Sequence, residues 1–180
     1  SLMMLNFEEG SLSFIDREED LKLDEFKKVR SSFKYGSIWL QLRIGNVWDY
    51  YIFDTGAEFF MSKKENPFKD EILSEDSFKS VNIMSGNSIV PSETIFYKDQ
   101  NVYATGLQID NNIIQINKNL NSNILGYEFI KNYNWIIDFK KNKVYAKKIK
   151  NFNSDKYFDD LVDVENLVAA MNGKLIVIYS

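Results

Sequence analysis

The chain has 180 residues, a net charge of −4, and neither cysteine nor histidine. Hydrophobic residues make up 44% of it and aromatic residues 15%, enough to fill the core of one ordinary domain with an appendage. The lack of cysteine and histidine excludes disulfides, structural zinc sites, haem ligation by these residues, and Ser-His or Cys-His nucleophile pairs. Carboxylate chemistry without a metal or other cofactor is the class that remains.

Charge and hydropathy also limit the kinds of partner that the chain can have. Lysines and arginines (22) are outnumbered by aspartates and glutamates (26), which argues against nucleic acid as the main partner. The longest apolar runs are shorter than the roughly 20 residues of a membrane-spanning helix, and no basic and then apolar leader precedes them. We therefore expect no membrane-spanning segment.

The first 33 residues are predicted to be a lead-in or linker. Residues 12–33 are polar, and their apolar members are spaced loosely like one face of a helix. These members are Leu21, Leu23, Phe26 and Val29. The pattern favours a short surface helix.

Strand patterning starts at Ile38, where apolar residues begin to alternate with polar ones through Ile44. Gly45-Asn46 is a two-residue hairpin signal, and Val47–Phe53 is the predicted return strand. Residues 63–77 are charged and contain Pro67, so they are predicted to form a surface loop with one helical turn at 69–73.

The second half continues as short strands separated by turns. The predicted strand pairs are Phe78–Met84 with Ile89–Phe96, Val102–Ile109 with Ile113–Ile116 across Asp110–Asn112, and Trp135–Phe139 with Val144–Ile149. A short helix is predicted over Tyr127–Tyr133. The pattern is that of a mostly β domain over residues 34–150, with a closed or sandwich-like sheet and short helices.

Asp54-Thr55-Gly56-Ala57 is the most informative motif, because it places a carboxylate and a tight turn directly after the apolar run Tyr50–Phe53. The tripeptide Asp-Thr-Gly alone would occur by chance in about one chain of this length in twenty or thirty. Its setting adds weight. Ile124-Leu125-Gly126 lies seventy residues downstream, and the run Trp135–Phe139 follows it.

This order of motifs over residues 34–149 resembles the retropepsin-like aspartic proteases. The resemblance implies a closed, barrel-like β lobe in which Asp54 is one acid of a catalytic pair. Thr55 would hydrogen-bond to the equivalent loop of the partner, and Gly56 would let its N–H face Asp54. Ala57 would be small enough to let the substrate backbone pass.

Two further elements are implied by the same resemblance. Ile124, Leu125 and Gly126 would support the active-site loop from below. The hairpin whose tip holds Ser85, Gly86 and Asn87 would be a flap that closes over bound peptide, with an ordinary hairpin as the alternative. Asp138 matches a structural position of the family and is not counted as catalytic.

Aspartic proteolysis needs two carboxylates that share a proton, and the chain has one Asp-Thr-Gly. The second acid would come from another copy in a homodimer, or from a sister lobe of a two-lobed protease, in which case this chain alone would be inert. A third reading is an inactive binding or assembly module. Peptide or protein is the expected substrate in the first two cases.

Residues 151–180 are predicted to be an extension with an amphipathic segment and a short strand, Leu175–Tyr179. This extension looks like the start of a PDZ domain, as found in some bacterial members of the family, and that analogy suggests the cell envelope or periplasm.

Other candidates are weaker. The acidic residues at 159–165 lack the glycine and spacing of a calcium loop, so they indicate a solvated helical face. Ser62 beside Lys63 suggests a Ser-Lys hydrolase, but adjacent residues of a strand point to opposite faces. Glu58, directly after the motif, would raise the apparent pKa of the pair if its side chain pointed inward.

Overall fold

The computed structural model describes residues 2–16, 23–67, 77–84, 90–104 and 107–149. Thirteen strands dominate these residues, so the prediction of a mostly β chain is confirmed. The strands are β1 (Leu2–Asn6), β2 (Ser11–Ile15), β3 (Lys27–Val29), β4 (Ser31–Lys34), β5 (Ser37–Ile44), β6 (Val47–Phe53), β7 (Met61–Lys63), β8 (Ser77–Met84), β9 (Val90–Ala104), β10 (Leu107–Asn117), β11 (Ile124–Leu125), β12 (Tyr133–Asp138) and β13 (Lys143–Lys148). A 3₁₀ turn spans Leu23–Glu25, and α1 spans Tyr127–Ile130.

The larger sheet has eight strands in the order β4-β5-β6-β11-β7-β10-β9-β8. β5 also pairs with β9, joining Leu42 to Ala104 and Ile44 to Val102, so the sheet curls back on itself. It does not close into the single barrel that the sequence suggested. In the described residues β4 and β8 stay at its ends, and the last two strands of the domain belong to a second sheet.

The second sheet has five strands in the order β2-β1-β12-β13-β3. Its first three strands in sequence lie in the stretch expected to be a lead-in, and in the described part of residues 12–33 the expected surface helix is replaced by strands and the 3₁₀ turn. Pairing is the reason: Val29, 1% exposed, lies opposite the buried Val144, and this non-local contact outweighs a loose helical spacing. The domain limits at residues 33 and 150 stay predictions.

The hairpin predictions meet different outcomes. Gly45-Asn46 does join β5 to β6, with Gly45 at a φ of +54° that suits glycine, and β8 does pair with β9. The turn expected at Asp110–Asn112 is wrong. These residues lie inside β10, where the register with β9 shifts, so a cluster of turn-forming residues is accommodated as an irregularity in a continuing strand.

The two sheets enclose one core that lies beneath the Asp-Thr-Gly loop. Trp135 of β12 is 2% exposed, and its ring meets that of Phe53 edge to face at 5.0 Å. The Trp135 Nε1–H donates to the Ile130 carbonyl oxygen at 2.8 Å, which fixes the end of α1 against the core. α1 is therefore one turn, shorter than predicted, because β12 begins at Tyr133.

Two smaller observations complete the fold. The Asp138 carboxylate is buried and accepts a hydrogen bond from the Lys141 N–H at 2.8 Å, which shapes the turn between β12 and β13. Within the described ranges, no helix has the length and apolar character needed to cross a bilayer.

Candidate active site

Asp54 lies immediately beyond β6, where the chain leaves the sheet. Its backbone N–H donates to the Leu125 carbonyl oxygen at 3.0 Å, so the strand pairing continues up to the acidic residue. Its Oδ1 accepts the Gly56 N–H at 2.9 Å, as the resemblance implied for Gly56. The Asp54 side chain is partly exposed, and Thr55 and Gly56 are exposed, so the carboxylate can meet a ligand from solvent.

The loop that carries Asp54 connects two strands that do not pair with each other. β11 lies between them, parallel to β6 and antiparallel to β7. Ile124 is opposite Ile52 on one side and Ser62 on the other. Both stems of the loop are thereby fixed to a single two-residue strand, and this limits how far the loop can shift relative to the sheet.

Gly126 continues from β11 and forms the floor of the loop. Its N–H donates to the Phe60 carbonyl oxygen at 2.9 Å, and the next N–H, of Tyr127, donates to the Ala57 carbonyl oxygen at 2.7 Å. A Cβ added to Gly126 would lie 2.0 Å from the Phe59 carbonyl oxygen and 2.8 Å from that of Ala57. Only glycine allows the two backbones to approach this closely.

The three residues expected to support the loop do not all lie beneath it. Leu125 is fully buried, on the face shared with Phe53 and Met61, and Gly126 contacts the loop backbone. Ile124 is only partly buried, and because side chains alternate along a strand it lies on the opposite face, beside Ile52. Its supporting role stays a prediction.

The proposed substrate-binding residues are placed in part. Ala57 is partly buried, and its backbone is held at both ends, since its N–H donates to the Asp54 carbonyl oxygen at 3.4 Å and its carbonyl oxygen accepts from Tyr127. Ser85, Gly86 and Asn87 lie outside the described residues, as does the extension at 151–180. The strands that would carry the flap, β8 and β9, are paired from Ser77 to Met84.

A second polar cluster at the far end of β6 was missed by the sequence reading. The buried Lys63 Nζ lies 2.5 Å from Asp49 Oδ2, and it lies 5.8 Å from the centre of the Tyr51 ring. Burial alone would raise the pKa of Asp49, but hydrogen bonds from Lys63, the Tyr50 N–H and Asn123, with the Lys63 charge, lower it overall. Burial raises the pKa of the Tyr51 hydroxyl, and the Asp49 charge raises it further.

One signal could have revealed this cluster. Asp49 alternates with Tyr51 and Phe53, so a strand reading places its carboxylate on the inward face, where an aspartate requires a cation. The sequence does not show which lysine supplies the cation, because β7 reaches β6 only through β11.

The chemistry available to the site is that of carboxylates. Among the described residues no cluster of three or more Asp or Glu side chains has the arrangement to hold a metal ion. In the same residues the recorded hydrogen bond of the Asp54 carboxylate is to a backbone N–H, and none joins it to a second carboxylate.

No protein-family model and no curated protein matches the sequence. Among solved structures, the chain is similar to a retropepsin-like aspartic protease from Rickettsia conorii, at 14% identity over 67% of this chain and 89% of that chain, with a TM-score of 0.43. This likeness is distant, and it assigns no residue and no activity to the present chain.

Proposed function

We propose that this chain is an aspartic peptidase whose active site forms when a second copy brings its own Asp54 beside the first. The observation that carries the proposal is the setting of Asp54. Asp54 is partly exposed and its carboxylate is oriented by the Gly56 N–H, while the loop around it is fixed by backbone hydrogen bonds to Leu125 and Gly126. Preorganised acids of this kind suit acid–base chemistry on a bound substrate.

The reaction follows from two carboxylates that hold one proton between them. The ionised carboxylate takes a proton from a water molecule as the water oxygen attacks the peptide carbonyl carbon. The other carboxyl group donates its proton to the carbonyl oxygen. The resulting tetrahedral intermediate collapses as the carboxylate that is now ionised takes a proton from one of its hydroxyl groups. The C–N bond breaks, the amine leaves with the proton of the other carboxyl group, and the pair again holds one proton. One chain supplies half of this apparatus, which is why the proposal includes a two-fold partner.

The other loop residues have subordinate roles in the proposal. The exposed Thr55 side chain would bond to the partner loop and keep the two carboxyl groups coplanar. Ala57 and the hairpin of β8 and β9, with Ser85, Gly86 and Asn87 at its tip, would hold an extended peptide. The substrate is therefore a peptide or protein segment without regular structure.

The test combines the mass of the protein in solution with cleavage of a peptide library between acid and neutral pH. We expect a dimer that cleaves peptides, and we expect Asp54→Asn to lower the rate by about a hundredfold to ten-thousandfold without loss of folding. Asp24→Asn is the control, because it makes the same change of an exposed aspartate in the 3₁₀ turn, outside the Asp54 loop, and should leave the rate within about twofold.

Each other outcome rejects part of the proposal. A monomer without activity would favour one inert lobe of a two-lobed protease. Cleavage that survives Asp54→Asn would reject the aspartic mechanism. A dimer that binds peptides and never cuts them would leave the binding module.

A further inference from the structure

The two stems of the Asp54 loop are connected by side chains as well as by β11. β6 and β7 lie on either side of β11 without pairing to each other. Lys63, the last residue of β7, reaches past β11 to Asp49 in β6, with 2.5 Å between Nζ and Oδ2. Because β6 and β7 do not pair with each other, the ion pair is a direct side-chain link between the two stems.

Asn123 adds a second bridge at the same level. Its Oδ1 accepts the Lys64 N–H at 3.0 Å, beyond the end of β7, and its Nδ2 donates to the Tyr50 carbonyl oxygen in β6 at 3.2 Å. Its own carbonyl oxygen accepts the Ile52 N–H at 2.9 Å. One residue directly before β11 thus contacts both stems.

The burial of Lys63 indicates that this arrangement is specific. Its side chain is 3% exposed, and a charged group removed from water to that degree is costly unless it is paired. The Asp49 side chain is 40% exposed, so the need for a partner lies with the buried ammonium group, and few positions of the two stems would satisfy that group. The Tyr51 ring face completes the surroundings of the ammonium group.

We propose that Asp49, Lys63 and Asn123 form a clamp that sets the spacing of the two loop stems and so positions Asp54 for catalysis. The clamp residues are positioning residues. Asp49 lies five residues before Asp54, roughly 16 Å along an extended strand, so it acts through the strand and not by contact. The catalytic part of this inference rests on the proposed peptidase function, whereas the structural part does not.

Lys63→Met tests the clamp, because it keeps an unbranched apolar stem of similar length and removes the ammonium group. We expect kcat for peptide cleavage to fall at least about tenfold with KM within about twofold, since small displacements of reacting groups lower the rate more than they weaken binding. The matched control is Lys147→Met, which removes an ion pair with Glu25 on the exposed side of the other sheet and should leave both constants unchanged.

A second readout is independent of activity. Amide hydrogen exchange in the folded protein should become about tenfold faster at Asp54 and Gly126 in Lys63→Met, and it should stay unchanged in β12 and β13. Equal acceleration in both sheets would show that the pair only adds general stability and would overturn the proposal. If no variant or wild type cleaves peptide, the proposed function fails, while the exchange data still decide whether the clamp exists.

Asn123→Ala provides the same test without a change in charge. It removes the bridge between Lys64 and Tyr50 and should speed exchange at Asp54 and Gly126 in the same local manner. Should Lys63→Met not fold, this variant decides the question. Exchange at these two amides that matches the wild type would overturn the clamp.

Discussion

Asp49, near the start of β6, and Asp54, directly after its end, differ in the groups that hold their carboxylates. The Asp49 carboxylate is paired with a buried ammonium group and accepts the Tyr50 N–H at 2.9 Å. The Asp54 carboxylate accepts the Gly56 N–H at 2.9 Å, and the residue is partly exposed. One carboxylate is thus held by a side-chain ion pair, with its own side chain 40% exposed, and the other by a backbone N–H of the next turn.

The difference shows two ways in which a fold can hold an aspartate in place. At the Asp54 end, rigidity comes from backbone groups of Leu125, Phe60 and Ala57, which do not involve the carboxylate. At the Asp49 end, rigidity comes from the side chains themselves. The two ends can therefore be changed one at a time.

Gly126→Ala should have the largest effect. The added Cβ would lie 2.0 Å and 2.9 Å from the Phe59 carbonyl oxygen and carbon, and backbone atoms cannot rotate away. Relief requires β11 and α1 to separate from the loop, so we expect a loss of about 3 kcal/mol or more in the free energy of unfolding. Urea unfolding measures it, and a loss below about 1 kcal/mol would contradict the close approach.

Lowering the pH should reveal how much the Asp49–Lys63 pair contributes to the free energy of unfolding. Because the pKa of Asp49 is lowered in the folded chain, the unfolded chain takes up this proton first, and the contribution of the pair is fully present above the ordinary value of 3.8. It is lost as the pH falls through the lower folded pKa. The stability difference between wild type and Asp49→Asn should therefore be constant from neutral pH to about that value and shrink below it.

The measurement is urea unfolding of both proteins across that pH range, with Glu25→Gln as the control for an exposed pair. A difference that shrinks already between pH 7 and pH 5 would contradict the lowered pKa.

Tyr51→Phe examines the interior beside the clamp. In the described part of the chain the buried Tyr51 hydroxyl has no hydrogen-bond partner, and its raised pKa keeps it neutral. Removing an unsatisfied buried hydroxyl should leave the stability unchanged or raise it by up to about 1 kcal/mol, while the ring stays beside Lys63. Thermal unfolding checks this, and a loss above about 0.5 kcal/mol would mean that the hydroxyl is satisfied.

Gly56→Ala should affect stability far less than Gly126→Ala does and so completes the comparison of the two glycines. Its added Cβ would lie 3.3 Å from Asp54 Oδ1, the end of a side chain at an exposed position. A shift of a few tenths of an ångström relieves the contact, and we expect a loss of less than about 1 kcal/mol in the same urea assay. Cleavage should fall more than stability does, because the atom displaced is the proposed catalytic oxygen.

The sequence predicted the local features of the site and of much of the fold. Alternation predicted β5, and the Gly45-Asn46 hairpin signal predicted the turn and the return strand β6, because both features are decided by neighbouring residues. The sequence also predicted that Asp54 directly follows a strand. The turn at Asp110–Asn112 was wrong, because pairing with β9 overrode the preference of these residues for turns.

Non-local pairing decided the rest. That β11 lies between the two stems of the loop, and that β1 pairs with β12 from Leu2↔Asp138 to Leu5↔Trp135, depends on strands more than sixty residues apart in sequence. The pairing of Asp49 with Lys63 likewise depends on the position of β11 between β6 and β7.

By itself, then, the sequence determined which side chains the protein has to work with: no cysteine or histidine, and an aspartate directly after an apolar run. The tertiary structure alone decided which backbone fixes that aspartate, why residue 126 must be glycine, and which lysine holds the other end of the strand. The physical reason is that residue type sets what a side chain can do, whereas strand order and register set what it meets.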